Sequence, residues 1–157
     1  MIDVRGIIKY HGPERVLDDV TLTVAEGAQL ALIGPGGCGK SLLIKVIAAL
    51  VRPEAGSVTV DGEDMLAMGD VQLAQARAKR GMLFQNYALF DFMTVEENIA
   101  FPLRQAGKAS EDEIRDRVDA LLRSVDLPGI QKQSPRELSG GMKKRVTFAR
   151  AVIHEPP

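Results

Sequence analysis

The sequence predicts an α/β fold with a helical subdomain following Gln85, and three observations predict it. Apolar and polar residues alternate through the first quarter, a continuous apolar run at residues 30–33 meets a glycine cluster and then a helical pattern, and the second half carries three successive helix-start signals.

Taken in chain order, Ile2, Val4 and Ile8, then Val20, Leu22 and Val24 against Thr21 and Thr23, have the period of two that half-buried strands require. Leu30-Ala31-Leu32-Ile33 is a short continuous apolar run of the kind found in strands covered on both faces. Leu42, Leu43, Val46, Ile47 and Leu50 follow helical spacing until Arg52-Pro53 ends it. Residues 57–60 alternate again and close on Asp61-Gly62, a strong hairpin signal. A helix is expected over residues 71–79, and Met82-Leu83-Phe84 is a further short strand candidate. Thr94 with Glu97, Ser110 with Glu113, and Ser134 with Glu137 fit the spacing of the capping box, which satisfies orphan N–H groups at a helix start. Ile114, Val118, Leu121, Leu122 and Val125 give one of these helices a single apolar stripe, terminated by Asp126-Leu127-Pro128-Gly129.

Composition narrows the function. The 157 residues carry 20 Lys and Arg against 21 Asp and Glu, a net charge of −1, which disfavours a basic nucleic-acid binder. With 45% hydrophobic and 26% charged residues the chain is an ordinary soluble globular sequence, and no apolar run approaches the ~18 residues a membrane span needs. The N-terminus has neither a basic leader nor an apolar stretch of secretory length, so a cytoplasmic address is expected. The single cysteine, Cys38, excludes an internal disulfide, and with only His11 and His154 as histidines no cluster has zinc-ligand spacing.

Gly34, Pro35, Gly36, Gly37, Cys38, Gly39, Lys40 and Ser41 fit the pattern GxxxxGK[ST], lying after a buried strand and opening a helix at Leu42. This is a Walker A phosphate loop. Glycines are needed there because backbone N–H groups must converge on phosphate oxygens with no Cβ in the way, and the helix N-terminus adds favourable partial charge. Lys40 would reach the β- and γ-phosphates of ATP, and the Ser41 hydroxyl would ligate Mg2+. A glycine-rich strand-to-helix turn is the blander account, which the flanking Ile33 and Leu42 disfavour. Cys38 stands at a variable position of the motif and is read as a small loop residue. A second glycine motif, Leu138-Ser139-Gly140-Gly141-Met142, precedes an amphipathic helix carrying Val146, Ala149 and Val152. Alone it is only an N-cap with two flexible residues.

With these motifs in order and at the family's separations, the chain resembles the ATP-binding-cassette (ABC) ATPases: residues 34–41 match the Walker A loop, Gln85 the Q-loop glutamine, and residues 138–142 the LSGGQ signature. The resemblance implies an N-terminal antiparallel β subdomain, a RecA-like core and a helical subdomain. It divides the chain into residues 1–85, the β subdomain and Walker A core, and 86–157, the helical subdomain with the signature. It implies a homodimer in which each ATP is held between one copy's Walker A loop and the other's Ser139, Gly140 and Gly141. Gln85 would touch Mg2+ or the attacking water, and an aromatic ring, Tyr10 or else His11, would stack on adenine. Met142 replaces the usual glutamine and Gly36 a common serine, and neither departure removes a phosphate ligand.

Residues 82–103, with Ala88-Leu89-Phe90, Met93-Thr94-Val95, Asn98 and Phe101-Pro102-Leu103, look like the cassettes of the Mla (maintenance of lipid asymmetry) phospholipid transporters, as does the run from Ser139 to Val146. This implies a phospholipid or related hydrophobic cargo, a separate transmembrane permease, and a peripheral position on the cytoplasmic face of the inner membrane. Phe90, Phe92 and Met93 would then meet the permease or pack in the subdomain. Lys143-Lys144-Arg145 is read as a solvated helix face and His154 as a surface histidine. Alternatives are an importer for another small solute such as an amino acid, a soluble ABC protein acting on DNA or in translation, and a non-catalytic nucleotide-binding fragment. The family's Asp-Glu strand and switch histidine are not among these 157 residues, which reach only Pro156-Pro157. The catalytic base is therefore expected outside them, and turnover by residues 1–157 alone is not expected.

Overall fold

The alternating residues of the first quarter form a long hairpin, β1 (Ile2–His11) and β2 (Glu14–Val24), in the computed structural model, which describes residues 1–107 and 109–155. Lys108, Pro156 and Pro157 lie outside the described residues. With β3 (Ala55–Val60) and β4 (Glu63–Asp64) the hairpin makes an antiparallel sheet of order β2-β1-β3-β4. The expected turn at Asp61-Gly62 is present, and both residues have positive φ (52° and 82°), as a two-residue hairpin turn matching strand twist requires.

Simple alternation fails along β1, whose pairing with β2 shifts register between Val4 and Ile7, Ile7 and Lys9, and Lys9 and Tyr10. Val4 and Ile7 are fully buried and Ile8 is not, because the pairing slips between Val4 and Ile7. The slip is a bulge at Gly6, φ 59°, whose N–H donates to Thr21 Oγ1 at 3.0 Å. Across the sheet Gly56 sits at φ 100°, and a Cβ there would lie 2.5 Å from Arg5 O and 2.6 Å from Gly6 O, so only glycine lets β3 close on the bulge.

Helix α1 (Lys40–Ile47) and α2 (Asp70–Ala78) lay Leu43, Val46, Leu73 and Ala76 on the sheet's apolar face beside Val4, Ile7 and Val58. The chain divides into two compact units, Met1–Ala76 and the segment from Arg77 on. The second unit packs α3 (Val95–Ala106), α4 (Glu111–Ser124) and α5 (Gly140–Val152) around Ile99, Ile114, Val118, Leu122 and Val146.

Of the three expected capping boxes, the one at Thr94 is complete: Glu97 N–H donates to Thr94 Oγ1 at 3.2 Å and Thr94 N–H to Glu97 Oε2 at 2.7 Å. At Ser110 the serine accepts from Glu113 N–H at 3.3 Å, while the Glu113 carboxylate takes Arg117 at 2.8 Å. Ser134 and Glu137 also form a capping box, Ser134 N–H donating to Glu137 Oε2 at 2.6 Å, but it opens only a 3₁₀ turn, Pro135–Glu137, because Leu138 is extended and Ser139 starts the next helix. The backbone N–H of Thr94 holds the Glu97 carboxyl below its ordinary pKa, and that of Ser134 does the same for Glu137. Both caps therefore stay bonded at neutral pH and are lost as acid approaches the lowered values.

The two short strands expected at residues 30–33 and 82–84 carry no β-ladder among the described residues. A strand exists only against a neighbour, and none pairs with them here. Leu30, Leu83 and Phe84 are exposed and Ile33 is 94% exposed. A chain presenting such side chains is expected to self-associate. Sedimentation with a circular-dichroism melt checks this; a monodisperse, cooperatively melting monomer would contradict it.

Candidate functional site

In the first unit the glycine loop runs directly into α1. Gly37 (φ 81°) and Gly39 (φ 91°) take left-handed conformations, and Gly39 is the N-cap residue of α1. A Cβ on Gly39 would come within 2.8 Å of Leu17 Cδ2 and 3.1 Å of Val16 Cγ1, so glycine is required by backbone angle and by packing on β2. Gly36 and Gly37 have open space where a Cβ would stand. Helix α1 has no side-chain cap and no acidic residue in its first turn. Its orphan N–H groups and positive dipole end therefore suit an anion.

The Lys40 ammonium folds back over the loop, donating to Gly34 O at 2.8 Å and Pro35 O at 2.6 Å, with Cys38 Sγ at 3.5 Å. An anion entering the loop would exchange these neutral acceptors for charged ones, which form stronger bonds. Ser41, in the first turn of α1, is exposed.

Tyr10 stands near the end of β1, paired with Arg15 one residue before Val16, so it shares an end of the sheet with Gly39. Its N–H donates to Glu54 Oε2 at 2.9 Å, and the residue is 43% exposed. Lys9, bonded to Glu54 Oε1 at 2.7 Å, is the main cause of a lowered Glu54 pKa. Glu54 thus fixes the backbone that carries Tyr10, a role the sequence did not disclose because its partners lie 44 and 45 residues away.

In the second unit Ser139 is the N-cap of α5: its Oγ accepts from Met142 N–H at 3.3 Å. Ser139, Gly140 and Gly141 are exposed, and the first turn of α5 is free of acidic residues. Gln85 is exposed in a turn preceding Tyr87 (φ 62°) and Ala88 (φ 50°), two consecutive left-handed residues that are not glycine.

Asn98, fully buried, was not singled out by its chemistry and organises the exposed tip of this unit. Its Nδ2 shares two hydrogens among Phe90 O (3.1 Å), Met93 O (3.2 Å) and Thr94 O (3.0 Å), and its Oδ1 accepts from Phe90 N–H at 2.8 Å. The turn so pinned presents Phe92, 82% exposed, at a hollow of about 270 Å³ lined by Phe92, Met93, Glu97, Phe101 and Arg104. Phe90 instead packs within the unit, 5.0 Å from the Phe101 ring centre. Arg145, in the basic run, is not simply solvated: it donates to Val125 O at 2.9 Å and Asp126 O at 3.3 Å, closing the C-terminal end of α4. His154 is half-buried, and burial pushes its pKa down.

The sequence profile of the ABC transporter family matches residues 17–157. Among curated proteins the chain is 44% identical over 155 residues to a probable ribonucleotide transport ATP-binding protein, Mkl, of Mycobacterium bovis. It is 41% identical over 156 residues to the spermidine/putrescine import ATP-binding protein PotA of Nitrosospira multiformis, and 46% over 158 residues to the sulfate/thiosulfate import ATP-binding protein CysA of Rhodopseudomonas palustris. Each match covers 99% of this chain, and the chain spans 43%, 41% and 44% of those proteins. Among solved structures it is similar to the dimeric ATP-binding cassette MJ0796 bound to ADP and Pi, with TM-score 0.91, 32% identity, and coverage of 100% of this chain and 71% of that one.

Proposed function

The chain belongs to the ABC transporter family, and from that premise we propose that it is part of an ATP-binding subunit that grips ATP and Mg2+ and couples their binding and hydrolysis to a transmembrane permease. The observation that carries this reading is the glycine loop opening an uncapped α1 with the Lys40 ammonium at its mouth. Bound ATP with Mg2+ would supply the γ-phosphoryl group and the cation that neutralises it.

The loop's backbone N–H groups would cradle the phosphates, Lys40 would exchange its carbonyls for β- and γ-phosphate oxygens, and the Ser41 hydroxyl would be the protein's ligand to Mg2+. Tyr10 stacks on the adenine ring, its backbone held by Glu54. Gln85 would contact the metal or orient the attacking water. Ser139, Gly140 and Gly141 of a second copy close over the γ-phosphate with the exposed N-terminus of α5, stabilising charge that develops in the transition state. Phe92 and its hollow receive the permease at the membrane's cytoplasmic face.

We assign the cargo as phospholipid or a related hydrophobic compound, on the likeness of residues 82–103 and 139–146 to the Mla cassettes. A small-solute importer is the second reading, favoured by the similar identity to relatives named for ribonucleotide, polyamine and sulfate transport. Two measurements test the proposal. Equilibrium titration of the chain with MgATP should show saturable binding that Lys40→Ala weakens, and no binding by the unaltered chain at millimolar nucleotide would refute it. Pull-down from membranes should return a permease whose co-purified ligand is lipid; a permease carrying a polar solute would transfer the assignment to the second reading.

A further inference from the structure

The turn after Gln85 adopts a conformation that its own sequence does not favour. Ala88 N–H donates to Asn86 O at 2.6 Å across Tyr87, a three-residue turn with positive φ at its centre, and Ala88 follows with positive φ. Such backbone persists only where its surroundings over-determine it.

The surroundings here are α5. Arg150 spans two successive carbonyls, its Nη2 donating to Tyr87 O at 3.0 Å and its Nη1 to Ala88 O at 2.7 Å, and its guanidinium lies 5.9 Å from the Phe90 ring centre. The Thr147 hydroxyl stands 3.2 Å from the same Tyr87 carbonyl and 2.8 Å from Lys143 O. Both terminal nitrogens of Arg150 are engaged by carbonyls of this turn, which commits its planar fork to it. At the other end of the helix, a Cβ on Gly140 would meet the Tyr87 hydroxyl at 3.3 Å. Tyr87 therefore reaches from Arg150 to the first residue of α5. Upstream, Gly81 lies so close to the helix end that a Cβ would be 2.5 Å from Ala151 O.

We propose that Arg150 is a positioning residue that locks the Tyr87–Ala88 turn onto α5, so that Gln85 and the helix start at Ser139, Gly140 and Gly141 are carried as one body. This rests on the reading of Gln85 and Ser139 as nucleotide contacts. A strut of this kind makes the two contacts arrive together: when a second copy's triphosphate engages Ser139, the segment holding Gln85 is moved with it. Arginine suits the task better than lysine, because only the fork serves both carbonyls at once.

The chain has two tyrosines and no tryptophan, so in a Tyr10→Phe background Tyr87 is the one side chain excited in the tyrosine absorption band, which lies beyond that of phenylalanine. In that background, acrylamide quenching of Tyr87 should rise about twofold or more in Arg150→Met and by less in Arg150→Lys, which keeps one bond, with the far-ultraviolet dichroism unchanged. On addition of MgATP, the parent's Tyr87 emission should change; Arg150→Met should lose that response while its MgATP affinity stays at the parental value. Unchanged quenching in Arg150→Met overturns the lock, and a retained MgATP response overturns the coupling. If Arg150→Met loses its helical dichroism, Arg150→Lys and Thr147→Val decide: intermediate quenching supports the lock and parental quenching overturns it. Absence of any MgATP binding by the parent refutes the nucleotide reading and with it the coupling, while the quenching series still decides the lock by itself.

Discussion

Lys40→Ala weakens MgATP binding by about 10- to 100-fold, the loss expected when a hydrogen-bonded charge worth ~1.5–3 kcal/mol is removed from a phosphate site. The sign follows from the loop geometry. Lys40 is the only loop side chain that brings positive charge to the mouth, and its present acceptors, Gly34 O and Pro35 O, are neutral carbonyls it can leave for phosphate at a net gain. Alanine leaves the α1 N-terminus and the glycine conformations intact, so binding weakens while secondary structure does not change. Isothermal titration beside a dichroism spectrum makes the measurement. Parental affinity in the alanine variant would show that the loop does not hold the triphosphate.

Asn98→Ala lowers unfolding stability by about 2–4 kcal/mol, because Phe90 N–H and Met93 O lose their partner at a fully buried side chain, while Phe90 O and Thr94 O keep only their backbone donors, Met93 N–H and Asn98 N–H. Urea unfolding followed by dichroism gives the number, and a change under ~1 kcal/mol would mean the turn finds other partners. Aspartate at this position fails in a different way. It keeps the acceptor for Phe90 N–H but aims a second oxygen at the carbonyls of Phe90, Met93 and Thr94, so it is expected to destabilise as severely. Either change frees the turn that presents Phe92, so binding of a permease through that side chain should fall with stability.

Much of the candidate site is legible in the chain because its chemistry is local. A glycine cluster between an apolar run and a helical pattern is readable from eight consecutive residues, and a serine at a helix start is readable from five. The Thr94 capping box also declares itself through one residue spacing. Legibility fails wherever the partner is remote. Glu54 supports Tyr10 from 44 residues away, and Arg150 holds Tyr87 and Ala88 from 63 and 62 away. No periodicity records those bonds. The bulge at Gly6 moved burial from Ile8 to Ile7 for a similar reason: a slip in pairing belongs to two strands and cannot be read from one.

By itself the sequence determined the glycine loop that opens α1, the capped helices, the Asp61-Gly62 hairpin and the membership of the ABC family, since each is written in short runs whose backbone preferences and side chains act on their nearest neighbours. Only the tertiary structure decided which apolar runs become strands, which polar residues are buried, and what holds the turn after Gln85. Those outcomes depend on a neighbour being present to accept a hydrogen bond or cover a side chain. Residues 30–33 and 82–84 have the composition of strands and lack a ladder among the described residues, while Asn98, a polar residue in a helix, is buried because both ends of its side-chain amide find backbone partners.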